Sequence, residues 1–101
     1  MAQSGDFVSR VISVVESIPS GHVMAYGDVA AAIGSRAARA VGHVMSHYGE
    51  DLPWWRVIRA SGQPPVCHDS EALAHYEEEG TPLMPTVGGY RINLRLAQHR
   101  P

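Results

Sequence analysis

The segment YGDVAAAIGSRAARAVGHVM, residues 26–45, predicts two helices separated by a turn of about four residues. The first helix runs from Tyr26 to Ile33, and Gly34 is a natural end for it because glycine adopts the left-handed conformation without strain. Ser35 is predicted to cap the second helix. That helix carries apolar residues at helical spacing: Ala37, Ala38, Val41, Val44 and Met45. Two helices joined by a short turn containing glycine indicate a helix-turn-helix.

A further helix is predicted before this pair. Apolar residues recur there at helical spacing, and Asp6 precedes them as a candidate N-cap. The stretch PSG at residues 19–21 breaks the helix. The apolar positions are Phe7, Val8, Val11, Val15 and Ile18.

Shorter elements are predicted after the pair. Residues 52–58 are bulky and indicate a buried turn entering a short strand, and residues 60–65 form a loop. A fourth helix is predicted from Asp69 to Glu79, with Gly80 as its end. Gly88-Gly89 indicates a turn before residues 90–94, which alternate like an edge strand. The predicted fold class is mostly α, a winged helix-turn-helix, in a single domain over residues 1–101.

Composition fits one ordinary globular domain. The chain has 101 residues, of which 45% are hydrophobic and 18% charged, which argues against disorder and against a fibre. No apolar run approaches membrane-spanning length, and the stretch MAQSGDFVSR lacks the charged-then-apolar pattern of a signal peptide. A single cysteine, Cys67, excludes an internal disulfide framework. We therefore expect a cytoplasmic protein, nucleoid-associated in a bacterium, with no membrane partner.

Charge is unevenly distributed along the chain. The net charge is −2, all eight basic residues are arginines, and four of them lie between Arg36 and Arg59. Seven of the ten acidic residues lie between Glu50 and Glu79, and the run at residues 77–79 is predicted to be a solvated face turned away from any nucleic acid. Arginine suits planar contacts with phosphates and bases, so a local basic face is possible on a mildly acidic protein. The alternative is that arginine use reflects genome composition.

The helix after the turn has an outward face of very small residues. Ala38 and Gly42 would let the backbone approach DNA closely, and Arg39 is the one long cation beside them. A helix that reads base edges in the major groove usually offers several polar side chains, which this one lacks. The face therefore favours insertion, with Arg39 able to occupy the gap left by an extruded base. The alternative is a helix packed inside the core, with Arg39 extending along its surface.

Two adjacent tryptophans occupy the segment PWWRV at residues 53–57. Indole rings are large enough to form a pocket wall and can stack on a base. Since neighbouring side chains usually point apart, one tryptophan is expected in the core and the other at a site. The alternative is that both belong to the core.

These segments, together with IPSG at residues 18–21, resemble the DNA-binding domain of O6-alkylguanine-DNA alkyltransferases over about Phe7 to Leu94. In the active transferases the last motif reads Pro-Cys-His-Arg-Val, and the cysteine accepts the alkyl group with help from the histidine. Here Trp54 stands at the cysteine position and Trp55 at the histidine position. That difference is typical of the alkyltransferase-like proteins, the non-catalytic relatives. Indole supplies neither a thiolate nor a base, so the resemblance implies a protein that is not an enzyme.

The resemblance also implies roles for individual residues. Tyr26 would crowd the phosphate beside the flipped nucleotide, and Arg39 would fill the vacated stack through the minor groove. Trp54 would lie near the O6 substituent, with Arg56 bracing the pocket from behind. A loop from about Ala60 to His68 would close over the base. The DNA- and lesion-binding set is then Tyr26, Ala38, Arg39, Gly42, Pro53, Trp54, Trp55, Arg56, Ser61, Cys67 and His68.

The implied function is a DNA damage sensor that binds O6-alkylguanine in double-stranded DNA and flags it for nucleotide excision repair. Its expected partners are that DNA and nucleotide excision repair proteins, and a monomer is the simplest state. No cofactor and no metal are expected: His43 and His47 have the i, i+4 spacing of a metal pair but no third ligand is apparent.

The loop departs from the family pattern, because it carries no arginine that would stack on the base, and Cys67 or His68 falls near that place. Two alternatives remain. One is a winged-helix transcription regulator that reads sequence, and the other is an active alkyltransferase that uses Cys67 as its nucleophile.

Overall fold

The computed structural model describes residues 3–101, with side chains from Asp6 onward. Helices predominate in this part of the chain, with two short pairs of strands between and after them. In chain order the elements are α1 (Gln3–Ser17), β1 (Met24–Ala25), α2 (Tyr26–Ala32), α3 (Ala38–Tyr48), β2 (Val57–Ile58), α4 (Asp69–Glu79), β3 (Leu83–Thr86), β4 (Gly89–Ile92) and α5 (Leu94–Ala97). Two 3₁₀ turns, Gly49–Asp51 and Trp54–Arg56, lie between α3 and β2.

Helices α2 and α3 form the predicted helix-turn-helix. Gly34 has a φ of 73° and ends α2 in the left-handed region, as its sequence position predicts. Helix α3 begins at Ala38, however, so the prediction that Ser35 caps it is wrong. The Ser35 hydroxyl instead accepts a hydrogen bond of 3.0 Å from the amide of Ala37, inside the turn. This bond gives the Ala37 amide a partner before the helix starts.

Helix α1 begins further upstream than predicted. Asp6 lies in its first turn instead of capping it, so the N-cap prediction is wrong. A carboxylate in the first turn still faces the positive end of the helix dipole, which stabilises the longer helix. Asp6 also lies 4.0 Å from Arg10, one turn later on the exposed surface.

The interior has two apolar clusters. The first joins α1, α2 and α3, with Val41 and Val44 as the buried residues of α3. The second gathers α4, β4 and the C-terminal segment around the fully buried Tyr76. The parallel pair β1–β2 runs between the clusters, with Met24 opposite Val57 and Ala25 opposite Ile58. This pair ties the helix-turn-helix to the second half of the chain.

Strands β3 and β4 form an antiparallel hairpin that serves as the wing. Leu83 pairs with Ile92 and Thr86 with Gly89, and Gly88 turns the chain with a φ of 82°. The predicted strand over residues 90–94 is confirmed as far as Ile92, but Leu94 already begins α5, so the last two residues were wrongly assigned. Helix α4 has the predicted bounds, and Gly80 ends it with a φ of 71°.

The observed architecture is therefore the predicted mostly α, winged helix-turn-helix. Within the part of the chain that the structure describes, none of the helices combines the length and the apolar content needed to cross a bilayer.

Candidate nucleic-acid interface

A cleft of about 740 Å³ opens between α3, the 3₁₀ turn that follows it, and the loop before α4. This volume lies within the range of ordinary ligand sites. Tyr26 and Gly42 lie on the helix-turn-helix side, and Pro65 and His68 lie on the loop side with Trp54. The full lining comprises Tyr26, Gly42, Met45, Ser46, His47, Gly49, Glu50, Trp54, Pro65, Val66, His68 and Glu71.

Trp54 forms an aromatic wall of this cleft. Its ring stands edge-on to the Trp55 ring, with centroids 5.6 Å apart and planes inclined by 87°. The His75 ring meets it edge-on at 5.7 Å, and the His68 ring lies 5.4 Å away at the loop side. Edge-to-face packing from two partners favours one orientation of the Trp54 indole. The wall is therefore preorganised by its neighbours.

Trp55 turns away from the cleft lining and is held on two sides. Its ring stacks on His75, with centroids 3.7 Å apart and planes 5° from parallel, and its Nε1 donates to Glu79 at 3.1 Å. Both tryptophans are half-buried against the second apolar cluster. The expectation that one would be a core residue is therefore wrong: Trp55 packs against the edge of the second cluster, where its Nε1 reaches the carboxylate of Glu79.

Glu79 joins several segments behind the cleft. Its carboxylate accepts hydrogen bonds from the Gly21 amide at 3.0 Å, from Trp55, and from Nε and Nη2 of Arg56. Arg56 also donates to the carbonyl of Ile18 at 3.0 Å and lies 5.5 Å from the Trp55 ring centroid. Arg56 therefore links the 3₁₀ turn to α4 and to the end of α1.

This network corrects the prediction that the acidic run at residues 77–79 is wholly solvated. Glu77 and Glu78 are exposed, but the Glu79 side chain is only 9% exposed. Burial alone would raise the pKa of Glu79. The hydrogen bonds from Arg56, Gly21 and Trp55, together with the Arg56 charge, outweigh burial and hold the pKa of Glu79 below its ordinary value. The carboxylate is thus the stable form, and its negative charge is opposite to that of the Arg56 guanidinium.

Tyr26 opens α2 and lies in the cleft lining. Burial raises the pKa of its phenol, and the positive charge of Arg59 only partly opposes that effect. The hydroxyl therefore stays protonated at neutral pH and can donate a hydrogen bond to a phosphate or base.

Helix α3 has the predicted outward face of small residues with one long cation beside them. Val41 and Val44 are buried, whereas Arg39 is exposed and Ala38 and Gly42 are half-buried on the open side of the helix. A Cβ atom built at Gly42 meets nothing within 4 Å, so the space beside this residue is free in the protein. Packing inside the core does not explain the small residues on this face.

Seven of the eleven predicted residues lie outside the cleft lining: Ala38, Arg39, Pro53, Trp55, Arg56, Ser61 and Cys67. Ser61 borders a separate, smaller cavity of about 430 Å³ beside the wing, with Arg91 and Arg95. The loop reaches the wing because Gly62 turns with a φ of 90° and its carbonyl accepts from the Ile92 amide at 2.8 Å. Cys67 is exposed and takes the left-handed conformation, with a φ of 69°. Of the three loop residues in the predicted binding set, His68 is the one that lines the cleft, together with Pro65 and Val66 of the same loop.

The structure also brings in residues that the sequence analysis did not single out. Oε1 of Glu71 lies 2.7 Å from Nδ1 of His68, within hydrogen-bond distance, and the His75 ring stacks on the Trp55 ring. The i, i+3 spacing of His68 and Glu71 at the start of α4 was the available signal for the first pair. The role of His75 depends on how α4 packs against the 3₁₀ turn, which the local sequence does not encode. Within residues 3–101, no group of three or more His, Cys, Asp or Glu side chains is placed to hold a metal ion.

Comparison with known proteins agrees with this geometry. The family model for the DNA-binding domain of 6-O-methylguanine DNA methyltransferase matches residues 6–79. Alkyltransferase-like protein 1 of Schizosaccharomyces pombe is 33% identical over 97 residues, a match that covers 88% of this chain and 90% of that one. This chain belongs to the alkyltransferase-like proteins of that family.

Solved structures support the assignment. The S. pombe alkyltransferase-like protein in complex with damaged DNA containing O6-carboxymethylguanine superposes with a TM-score of 0.84 at 31% identity. That match covers 96% of this alkyltransferase-like chain and 97% of the S. pombe chain. A variant of the Mycobacterium tuberculosis O6-methylguanine methyltransferase gives a TM-score of 0.62 at 35% identity, over 73% of this chain and 48% of that one.

A DNA base-flipping protein of Escherichia coli is 46% identical over 65 residues. The alignment covers 61% of the alkyltransferase-like chain and 50% of the E. coli protein. The aligned part thus spans about half the length of that relative.

Proposed function

We propose that this protein is a non-enzymatic DNA damage sensor that binds O6-alkylguanine in duplex DNA. In this proposal α3 enters the minor groove, the damaged base turns out of the helix into the Trp54 cleft, and the complex flags the site for nucleotide excision repair. The observation that carries the proposal is the position of the cleft directly beside the small-residue face of α3. Gly42 lies on that face of α3 and also in the lining of the cleft.

The shape of α3 supports entry into a groove. Half-buried Ala38 and Gly42 allow close approach of the helix backbone, and exposed Arg39 supplies a long planar cation on the same helix. A guanidinium can stack in the space that an extruded base leaves behind, and it can donate hydrogen bonds to the unpaired base on the opposite strand. Tyr26, with a protonated hydroxyl at the cleft, would crowd the phosphate next to the flipped nucleotide.

The cleft supports recognition without transfer. Trp54 and Trp55 stand where the family motif has its acceptor cysteine and activating histidine, so no thiolate is supplied there. The chain's single cysteine, Cys67, is exposed on the loop and is outside the cleft lining. A bound alkylguanine would therefore keep its alkyl group.

The relatives support the same function. The names of two of them refer to base flipping and to alkyltransferase-like character, and one solved relative is a complex with DNA that contains an O6-alkylated guanine. By extension we propose damaged double-stranded DNA and nucleotide excision repair proteins as partners, a monomer as the binding unit, and the cytoplasm or nucleoid as location.

One titration tests the proposed function. Matched duplexes that contain guanine or O6-methylguanine are titrated with the protein, and the base is then recovered and analysed. We expect tighter binding to the damaged duplex and recovery of unchanged O6-methylguanine. Equal binding to both duplexes, with affinity set by sequence, would identify a transcription regulator. Recovery of plain guanine, with a mass increase on Cys67, would identify an active alkyltransferase.

A further inference from the structure

We propose that Glu50 and Glu71 make the cleft select O6 substituents by charge, in favour of neutral or cationic groups and against carboxylates. This inference rests on the proposed function and specifies its substrate class. Both glutamates line the cleft, one from the 3₁₀ turn after α3 and the other from the first turn of α4. The wall of the cleft therefore carries acidic residues from two separate elements.

The charges around the cleft are unbalanced. Among the described residues that line it, the charged or titratable ones other than Tyr26 are Glu50, Glu71, His47 and His68, and none is an arginine or lysine. Such a lining has a negative potential whenever its imidazoles are neutral. An anionic substituent would enter against that potential, whereas a methyl or amide group would not.

The nearby cationic and imidazole groups do not remove this imbalance. His68 hydrogen-bonds to Glu71, with Nδ1 2.7 Å from Oε1, and this contact engages one oxygen of the carboxylate and leaves the other open to the cleft. His47 has Nδ1 3.1 Å from the His43 carbonyl, on its own helix. Arg59 affects Tyr26 electrostatically, but its Nε donates to the Pro64 carbonyl at 2.9 Å and the residue is outside the lining.

The expected size of the effect is moderate because both glutamates are solvent-exposed. Like charges separated by several ångströms in water repel enough to change an affinity about two- to fivefold for each carboxylate. Two carboxylates together should therefore give about a five- to twentyfold discrimination. Added salt should shrink that figure, since it screens exposed charges.

The carboxymethyl adduct offers a direct probe. The complex of the S. pombe relative contains O6-carboxymethylguanine, whose substituent ends in a carboxylate. Its carbamoylmethyl analogue has nearly the same size but no charge, so the pair isolates electrostatics from shape. An O6-(2-aminoethyl) adduct supplies the opposite charge.

The experiment measures dissociation constants for duplexes that carry O6-methyl-, O6-carbamoylmethyl-, O6-carboxymethyl- or O6-(2-aminoethyl)guanine. We expect the carboxymethyl duplex to bind about five- to twentyfold more weakly than the carbamoylmethyl duplex, and the aminoethyl duplex at least as tightly as the latter. In the double variant Glu50→Gln/Glu71→Gln the carboxymethyl penalty should fall to within about twofold.

Exposed acids of α4 outside the cleft provide the matched control. The double variant Glu77→Gln/Glu78→Gln removes the same number of negative charges and should retain the full penalty. This comparison separates a local effect of the cleft from the change in net charge.

Each outcome has one reading. Equal affinity of the unmodified protein for the carboxymethyl and carbamoylmethyl duplexes overturns the inference. A penalty that persists in the Glu50→Gln/Glu71→Gln variant also overturns it. If the protein fails to prefer O6-methylguanine over guanine, the proposed function is overturned as well, whereas that preference without charge discrimination rejects the inference alone.

Discussion

The indole Nε1 of Trp55 donates a hydrogen bond of 3.1 Å to the carboxylate of Glu79, the last residue of α4. The same carboxylate holds Arg56, and the Trp55 ring stacks on His75. Trp54 then stands edge-on to both rings. The orientation of the cleft wall thus depends on a polar network one layer behind it.

Replacing Glu79 by glutamine should destabilise the fold. The variant leaves Arg56, whose side chain is 17% exposed, without its charge partner and weakens the bonds to Gly21 and Trp55. We expect the free energy of unfolding in urea to fall by about 2–4 kcal/mol. The exposed neighbour gives the control, since Glu78→Gln should change it by less than about 0.5 kcal/mol. Equal stabilities of the two variants would contradict the assigned network.

The stabilising effect of the Glu79 carboxylate should also appear in the pH dependence of stability. The pKa of Glu79 is lowered in the folded protein, so its stabilising effect is complete above the unfolded pKa of about 4.3. The effect should be lost as the pH falls from that value through the folded pKa. Urea unfolding between pH 7 and pH 3 should therefore show a steeper acid loss for the unmodified protein than for Glu79→Gln. Parallel curves would show that Glu79 does not titrate in this way.

Removing the Arg39 side chain should weaken lesion binding severely. Arg39 is exposed on α3, so Arg39→Ala should leave the melting temperature nearly unchanged. Loss of the stacking group should weaken binding to an O6-methylguanine duplex by about ten- to a hundredfold, as measured by fluorescence anisotropy. Arg10→Ala, at an exposed position of α1, removes an equal charge and should have a small effect. Wild-type affinity in Arg39→Ala would show that Arg39 is not the wedge.

Adding a methyl group at Gly42 should separate stability from binding. Since a Cβ there meets nothing within 4 Å, Gly42→Ala should stabilise α3 by about 0.5–1 kcal/mol. The same methyl group should lower the affinity for damaged duplex if the helix backbone approaches DNA at this point. Thermal unfolding and DNA titration of the same sample measure both effects. A variant that is more stable and binds equally well would place the DNA elsewhere.

Restoring a cysteine at position 54 should not restore efficient alkyl transfer. In Trp54→Cys the neighbouring position still carries Trp55, whose Nε1 is a donor bound to Glu79 and cannot act as a base. Incubation with O6-methylguanine DNA should leave the protein mass essentially unchanged over minutes. The unmodified protein, which retains Cys67, is the control. A rapid gain of one methyl group in the variant alone would contradict this prediction.

Local patterns predicted most of the helical fold. The bounds of α4 and the ends of α2 and α4 follow from helical periodicity and from glycines at Gly34 and Gly80 that take positive φ. The caps at Asp6 and Ser35 were wrong because α1 extends upstream and the turn before α3 satisfies its own amides. Side-chain capping depends on backbone geometry over only one or two residues, which sequence spacing does not determine.

Contacts between residues far apart in the chain could not be predicted from the sequence. The pairing of Met24 with Val57 joins residues more than thirty positions apart, and neither segment is long enough to show strand periodicity. Glu79 looks like its exposed neighbours in the sequence, and only its contacts with Gly21 and Arg56 distinguish it. The candidate cleft was therefore predictable where motif residues form it, as with Tyr26 and Trp54. The positions of Glu50 and Glu71 in the cleft lining could be found only from the packed structure.

Both tryptophans of the chain adjoin this single cleft, one as its wall and the other directly behind that wall. Ultraviolet emission from indole therefore originates wholly at the place where a ligand would be received, with no background from elsewhere in the chain. The protein carries its own optical reporter of occupancy, and no external dye has to be attached.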